Sequence, residues 1–208
     1  MTSYSKTRLF WIKQHRNNYI EKTESTTNIE MSKFLVNKYG HNLKGCQTFC
    51  ELGLGSGRNL FYFHKKFPEW SYMGNDINPN TYGDIKNKYP GLLDIASIEN
   101  IDTLKYLRKP DLNMDITLTH GHLMHLPNDI INEVCDLIAK KTNMYLLLYE
   151  AFLNNEGIGL IQRLRYKRYR FDRDYENMFP GFILKDKHIS HHLTKKWIRM
   201  GLYFFKKK

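Results

Sequence analysis

The sequence predicts an α/β fold: a doubly wound, mostly parallel sheet with helices on both faces and a closing antiparallel edge strand. Three observations carry this. Short apolar runs alternate with segments of helical period after Gly45. One run, 144–150, is apolar almost throughout, as in a strand buried on both faces. The first run passes directly into a glycine-rich turn and then a helix, the start of a βα unit. A chain of 208 residues suits one such domain. No repeat, low-complexity stretch or Pro/Gly/Ser linker divides it, so 1–208 reads as a single domain. Within it, 1–40 is an N-terminal helical arm, 45–208 the core, and 155–178 a basic insertion.

The elements follow in order. The first 28 residues are polar and aromatic, with Phe10, Trp11, Tyr19 and Ile20 as apolar points. Thr27-x-x-Glu30 has the form of a capping box opening a helix, with Ile29, Phe34, Leu35 and Val36 on its buried side and Gly40 as its stop. Residues 48–52 form a first strand, and 58–67 a helix carrying Leu60, Phe61, Phe63 and Phe67. Residues 71–76 form a second strand that ends at Asn78-Pro79-Asn80, 92–98 a third, and 115–119 a fourth. Ile130, Ile131, Val134, Leu137 and Ile138 recur at helical spacing over 128–141. After the strand at 144–150, the segments 182–189 and 202–206 close one edge as a hairpin-like pair.

Composition narrows the class. Hydrophobic residues are 41% of the chain and aromatics 14%, enough for a sizeable core. No stretch approaches the 18 or more apolar residues of a membrane span, and the N-terminus lacks the basic-then-apolar order of a secretory signal. Cys46, Cys50 and Cys135 form no C-x-x-C pair; an odd, sparse set fits reduced thiols in cytoplasm. The net charge of +11 favours anionic partners, although a Lys- and Asn-rich coding bias produces the same excess.

Strand, Gly53-x-Gly55-x-Gly57, helix is a loop suited to ligand binding. Glycines let the backbone turn sharply and approach a ligand, and the helix start offers free N–H groups. Dinucleotide sites share this logic, so the loop makes the sheet Rossmann-like without naming the ligand. In the nicotinamide fingerprint the third small residue falls three after the second glycine, and here that position is Arg58. Instead Gly57 follows Gly55 by two, and an acid, Glu51, precedes Gly53 by two.

Glu51-x-Gly53-x-Gly55-x-Gly57, closing with Asn59, resembles motif I of class I S-adenosylmethionine-dependent methyltransferases. The resemblance implies that Gly53 to Gly57 wrap the methionine moiety and that Glu51 faces its ammonium, directly or through water. Asp76, ending the second strand, is placed to accept both ribose hydroxyl protons, with Ile77 beside it. Ser97 and Ile98 are assigned to the adenine, and Thr119 completes the cofactor set at the fourth strand. The order of further segments is similar to that of methylases associated with pseudaminic acid and other surface-sugar biosynthesis. These are Phe10-Trp11 with Tyr19-Ile20-Glu21, Asp76-Ile77-Asn78-Pro79, Thr119-His120-Gly121-His122-Leu123-Met124-His125-Leu126, Tyr149-Glu150 and Phe171-Asp172-Arg173-Asp174-Tyr175. The chain departs in keeping a regular three-glycine loop, and in having His120 where a lysine commonly precedes the glycine.

On the acceptor side, methyl transfer needs alignment of the nucleophile, exclusion of water and, for a hydroxyl, a base. Ligands of open α/β sheets lie beyond the carboxyl ends of the strands. His120, His122 and His125 follow the fourth strand, and His120, then His125, are the candidate bases, with Glu150 a further proton or hydrogen-bond acceptor. Packing or capping is the alternative for His125, and a helix or turn cap for Glu150. No metal is expected, since no Cys or carboxylate stands beside the histidines at ligand spacing. A late trio, His188, His191 and His192, is read as exposed.

The expected activity is methyl transfer from S-adenosylmethionine to a small, anionic acceptor such as a sugar or sugar-linked metabolite, on oxygen by preference. An RNA methyltransferase is the main alternative, drawn from the basic and aromatic stretch at 163–173. The absence of an Asn/Asp-Pro-Pro-Tyr motif and of a Pro-Cys nucleophile counts against it. A non-catalytic cofactor-binding protein and a nicotinamide dehydrogenase follow. Oligomeric state is not legible.

Overall fold

The computed structural model describes residues 2–13, 25–151, 171, 173–190 and 200–208. Helices α1 (Ser3–Lys13) and α2 (Thr26–Tyr39) precede the sheet, α2 running on into a short 3-10 turn at Gly40–Asn42. Then come β1 (Thr48–Leu52), α3 (Arg58–Lys66), β2 (Ser71–Asn75), α4 (Thr81–Lys88), α5 (Leu92–Ile95), β3 (Ala96–Glu99) and α6 (Thr103–Leu107). They are followed by β4 (Met114–His120), a 3-10 turn at Leu123–His125, α7 (Ile131–Lys141), β5 (Thr142–Ala151), β6 (Phe182–Ser190) and β7 (Met200–Lys207).

One seven-stranded sheet runs β3-β2-β1-β4-β5-β7-β6. The strands β1 to β5 pair in parallel, and β7 runs antiparallel to both β5 and β6. The order reverses between β1 and β4, which opens a crevice at their carboxyl ends. Alternation along each strand divides the core between two faces. Phe49, Leu147, Tyr149, Leu202 and Phe204 pack on one face with Leu35 of α2 and Leu60 and Phe63 of α3. Cys50, Leu52, Leu146, Leu148, Tyr203 and Phe205 pack on the other with Leu104 of α6 and Val134 and Ile138 of α7. The run read as a doubly buried strand, β5, supplies both cores.

The structure corrects several boundaries. Residues 92–98 are not one strand: Leu92–Ile95 make a helical turn, and only Ala96–Glu99 pair with β2. The last two strands do not close the edge in chain order, because β7 inserts between β5 and β6. Its residues from Met200 to Phe205 are all buried, which suits an interior position, whereas β6 alternates with Lys and Asp at the rim. Helix α2 starts earlier than a cap at Thr27 implies: Ser25 is the N-cap and its hydroxyl accepts from the Asn28 N–H, while Glu30 pairs with Lys33 instead of closing a capping box. Helix α7 begins at Ile131, three residues later than the periodicity suggests. Tyr19, Ile20, Glu21, Asp172, His191, His192 and residues 155–170 of the basic insertion lie outside the described residues. Among those described, no helix is long and apolar enough to cross a membrane.

Candidate active site

The loop after β1 is pinned to the end of β2: the N–H groups of Gly53 and Leu54 both donate to the Asn75 carbonyl, at 2.9 and 3.1 Å. Gly53 has φ +67°, and a Cβ there would fall 2.2 Å from Nδ1 of His122. Only glycine satisfies both the left-handed backbone and the closeness of that ring. Gly55, at φ +57°, faces open space instead, and its N–H donates to Oδ2 of Asp76 at 2.8 Å. The two glycines give a clean comparison. Gly55→Ala carries left-handed strain alone, about 1–2 kcal/mol, whereas Gly53→Ala adds a collision with His122. We expect the melting temperature of Gly53→Ala to fall well below that of Gly55→Ala in thermal denaturation; equal losses would contradict the packing of His122 on Gly53.

Behind the loop lies a buried polar chain. Asn59 Nδ2 donates to Glu51 Oε1 at 2.6 Å and lies 3.2 Å from His120 Nδ1, while Asn59 Oδ1 accepts from Ser32 Oγ at 2.7 Å. Arg58 Nε in turn donates to Ser32 Oγ at 2.9 Å. Thus α2, α3, β1 and β4 meet in one network. Glu51 is 1% exposed, and its Oε2 has no hydrogen-bond partner among the described residues. Burial, only partly offset by Asn59, pushes its pKa up to about 8. Burial, reinforced by the Arg58 charge, pushes His120 down to about 3.

Above the loop, a pocket opens at the carboxyl ends of β1, β2, β3 and β4. Asp76 forms one wall and also accepts the Asn78 N–H at 2.7 Å. The next wall is Asp102 and Thr103, not Ser97 and Ile98. Because β3 starts only at Ala96, Ser97 is exposed and Ile98 is in the core, and the chain reaches the pocket four residues further on. Helix α1 covers the opening. Tyr4 OH donates to Asp102 Oδ1 at 2.5 Å, Arg8 pairs with Asp102 at 3.5 Å, and the rings of Trp11 and His125 meet with centroids 4.4 Å apart. Trp11 is one of the apolar points of the N-terminal segment; Tyr4 and Arg8 carry no signal in the sequence.

The histidine loop after β4 is gripped from behind by two buried charges. Glu150 is fully buried and accepts the N–H groups of His122, Leu123 and Met124 at 2.9, 3.1 and 3.0 Å. Arg173, 8% exposed, donates to the carbonyls of Leu123 at 2.9 Å and Leu126 at 2.5 Å, and to Asn128 Oδ1 at 2.9 Å. Glu150 therefore lies behind the pocket wall and acts on its shape. It is not placed to take an acceptor proton. His120 and His125 line the pocket, as does His122, whose Nε2 is 2.8 Å from Thr103 Oγ1.

The structure thus brings Gly53, Gly55, Asp76, Ile77, His120 and His125 to one cavity. Glu51 and Asn59 do not line it and connect to it through His120. Gly57 caps α3, and Thr119 is fully buried one residue behind His120. Among the described residues, no group of three or more His, Cys, Asp or Glu could hold a metal ion.

No family profile and no curated protein matches the chain. Solved structures do. The magnesium protoporphyrin IX methyltransferase of Synechocystis PCC 6803, with S-adenosylhomocysteine bound, superposes with TM-score 0.75 over the whole of both chains at 12% identity. The 1,6-didemethyltoxoflavin-N1-methyltransferase of Burkholderia thailandensis, with its substrate and S-adenosylhomocysteine, gives 0.71 over 99% of this chain and 89% of that one, also at 12% identity. The chain has the Rossmann-like fold of these methyltransferases. A pericyclic reaction enzyme shares it too, with TM-score 0.60 over 84% of this chain and 47% of its own at 12% identity. The fold by itself therefore leaves the reaction to be argued from the site.

Proposed function

We propose that the chain is an S-adenosylmethionine-dependent methyltransferase acting on a small anionic acceptor, on oxygen by preference, with a sugar or sugar-linked metabolite of surface-carbohydrate synthesis as the favoured class. The observation that carries this is the orphaned Oε2 of Glu51, buried near the end of β1 two residues before Gly53, in a strand whose following loop lines the same pocket as Asp76. A buried carboxylate with an unused oxygen calls for a cation, and the ammonium of the cofactor's methionine end is one of the right size.

The remaining groups fit the other parts of the same molecule. Asp76, already oriented by the Gly55 and Asn78 N–H groups, accepts from ribose hydroxyls. Asp102, fixed by the Lys105 N–H at 3.1 Å, accepts from the exocyclic amine of adenine. Once bound, the cofactor supplies an electrophilic methyl carbon on sulfur. The protein's own work is alignment and exclusion of water. Helix α1, through Tyr4, Arg8 and Trp11, closes the opening, and the Glu150–Arg173 grip fixes the histidine loop. Arg8, 37% exposed at the mouth, gives an anionic acceptor a counter-charge. Within the basic stretch that motivates an RNA acceptor, Arg173 is buried and spent on loop carbonyls, which removes one cation from that surface. We place the reaction in the cytoplasm, where the thiols of Cys46, Cys50 and Cys135, all free, stay reduced.

The raised pKa of Glu51 has a testable consequence. Its ordinary value is 4.5 and in the fold it is about 8. Without a cation beside it the carboxyl therefore holds a proton over that window, and folding stability from this group is lost as pH rises through about 8. An arriving ammonium favours the carboxylate, so binding releases the proton. Affinity for S-adenosylhomocysteine should rise with pH below 8, by up to tenfold per unit, and then level off. Calorimetry in buffers of different ionisation enthalpy reads the proton release, and Glu51→Gln should abolish it. An affinity independent of pH between 6 and 8 in the wild-type chain would contradict the assignment of Glu51.

The activity itself is tested by incubating the protein with methyl-labelled S-adenosylmethionine and a panel of sugar nucleotides, phosphorylated sugars and RNA. Label on a small acceptor is expected. Label on RNA, with none on any small acceptor, would sink the proposal.

A further inference from the structure

Resting on that methyl-transfer reading, we infer that Asn59 is a positioning residue that couples the cofactor's ammonium to the pocket wall: the charge on Glu51 fixes the sense of the Asn59 amide, and the amide decides which ring nitrogen of His120 carries the proton. One side of this amide faces two groups, Glu51 Oε1 at 2.6 Å and His120 Nδ1 at 3.2 Å, and the other faces Ser32 Oγ at 2.7 Å. Ser32, Glu51 and Asn59 are buried, so each sense of the amide has to suit all its neighbours at once. With Glu51 ionised, its oxygens only accept, and Nδ2 must face it. Nδ2 then also donates to His120 Nδ1, which must be bare, and the ring proton sits on Nε2. The Ser32 hydroxyl donates to Asn59 Oδ1 and accepts from Arg58 Nε at 2.9 Å.

With Glu51 protonated, the amide is free to turn. Oδ1, with two lone pairs, then accepts from the Glu51 hydroxyl and from a proton on His120 Nδ1, while Nδ2 donates to Ser32 Oγ. Ser32 permits this: its hydroxyl lies 3.1 Å from the Asn28 carbonyl and donates there, leaving one lone pair for Arg58 and one for Nδ2. The turned amide also gives the carboxyl proton an acceptor. Glu51 is faced by Asn59, the Arg58 charge and the Leu60 N–H, which favour the carboxylate, and by Asp76, which opposes it; burial outweighs them and keeps the proton on up to a pH of about 8. His120 is faced by Asn59, by the Tyr149 ring with centroids 4.7 Å apart, and by the Arg58 charge. Burial and that charge keep it neutral throughout. An arriving ammonium ionises Glu51, whose proton leaves to solvent; His120 loses a proton from Nδ1, takes one on Nε2 and stays neutral. A residue of the pocket wall thus carries an N–H on the side away from Asn59 once the cofactor is bound, and a bare nitrogen before. An acceptor that meets it with a lone pair binds the loaded protein better, and by linkage tightens the cofactor in turn.

The test is nitrogen NMR on the full chain labelled at histidine nitrogens, His120 being assigned by its loss in His120→Gln. At pH 6.5 without ligand, the proton is expected on Nδ1. Saturating S-adenosylhomocysteine at that pH should move it to Nε2, and so should raising the pH to 9 without ligand, because either ionises Glu51. In Glu51→Gln neither should move it. 5′-Methylthioadenosine, which keeps the base and ribose and lacks the ammonium, should leave it on Nδ1 at pH 6.5. A proton already on Nε2 at pH 6.5 without ligand, or one that stays on Nδ1 at pH 9 or with S-adenosylhomocysteine bound, would overturn the inference. So would a swap that survives in Glu51→Gln or that 5′-methylthioadenosine produces. Failure of S-adenosylhomocysteine to bind at all would instead strike the methyl-transfer reading beneath it, and the pH comparison, which needs no ligand, still decides the coupling.

Discussion

Replacing Asp76 by alanine is expected to weaken S-adenosylhomocysteine binding by about 10²- to 10⁴-fold, the largest effect on ligand affinity of any single side chain in this site. Hydrogen bonds to a charged acceptor are worth about 1.5–3 kcal/mol each, and a ribose offers two, so about 3–6 kcal/mol is at stake. The same carboxylate also holds the Gly55 N–H at 2.8 Å and the Asn78 N–H at 2.7 Å, which ties the glycine loop to the end of β2. Its loss therefore loosens the cradle as well as removing the ribose contact. Burial alone raises the pKa of Asp76, and the N–H donors oppose that rise. Isothermal titration of the variant reads the affinity, with circular dichroism showing that the fold survives. A loss of less than threefold would mean that Asp76 is a turn residue only.

Glu150→Ala should have the largest effect on the protein itself. It removes the acceptor of three N–H groups at once, from His122, Leu123 and Met124, in a place without access to water. It also leaves Arg173 alone to hold the loop, through the carbonyls of Leu123 and Leu126. Stranding groups of this kind costs about 3–5 kcal/mol, a large part of a typical stability of about 5–15 kcal/mol. At about 2–4 °C per kcal/mol for a chain of this size, melting falls by about 6–20 °C. Glu150→Gln keeps one carbonyl oxygen for the His122 and Leu123 N–H groups and should lose less than half as much. A chemical role for Glu150 predicts the reverse pattern, with both variants stable and turnover abolished in each.

What the sequence could reveal was what is local. The three glycines, the acid at 51 and the acid at 76 are bound to one another by short spacings, and all but Glu51 and Gly57 reach the pocket wall. The strand 144–150 was legible because a run without polar interruption has few other uses. By contrast, Leu92-Leu93 looked like the start of a strand because a four-residue helical turn has too few positions to show a period. The stretch of pocket wall expected at Ser97 and Ile98 is formed by Asp102 and Thr103 for that reason. Asp102 did carry a signal, a side-chain N-cap before Thr103-Leu104-Lys105-Tyr106-Leu107. The contacts of Tyr4 with Asp102 and of Arg173 with the histidine loop join residues 98 and about 50 positions apart, and no pattern in a single sequence marks such pairs. His120 reads as a base from its residue type; in the fold its Nδ1 faces Asn59, and burial and the Arg58 charge oppose its protonation, surroundings that only the fold supplies.

The central claim is that this pocket takes S-adenosylmethionine and not a dinucleotide. Isothermal titration of the purified full chain with S-adenosylhomocysteine, and in parallel with oxidised nicotinamide adenine dinucleotide, tests it most directly. Saturable one-to-one binding of S-adenosylhomocysteine is predicted, with the dinucleotide failing to saturate at the same concentrations. Preferential binding of the dinucleotide, or no binding of S-adenosylhomocysteine at any pH from 6 to 9, would contradict it.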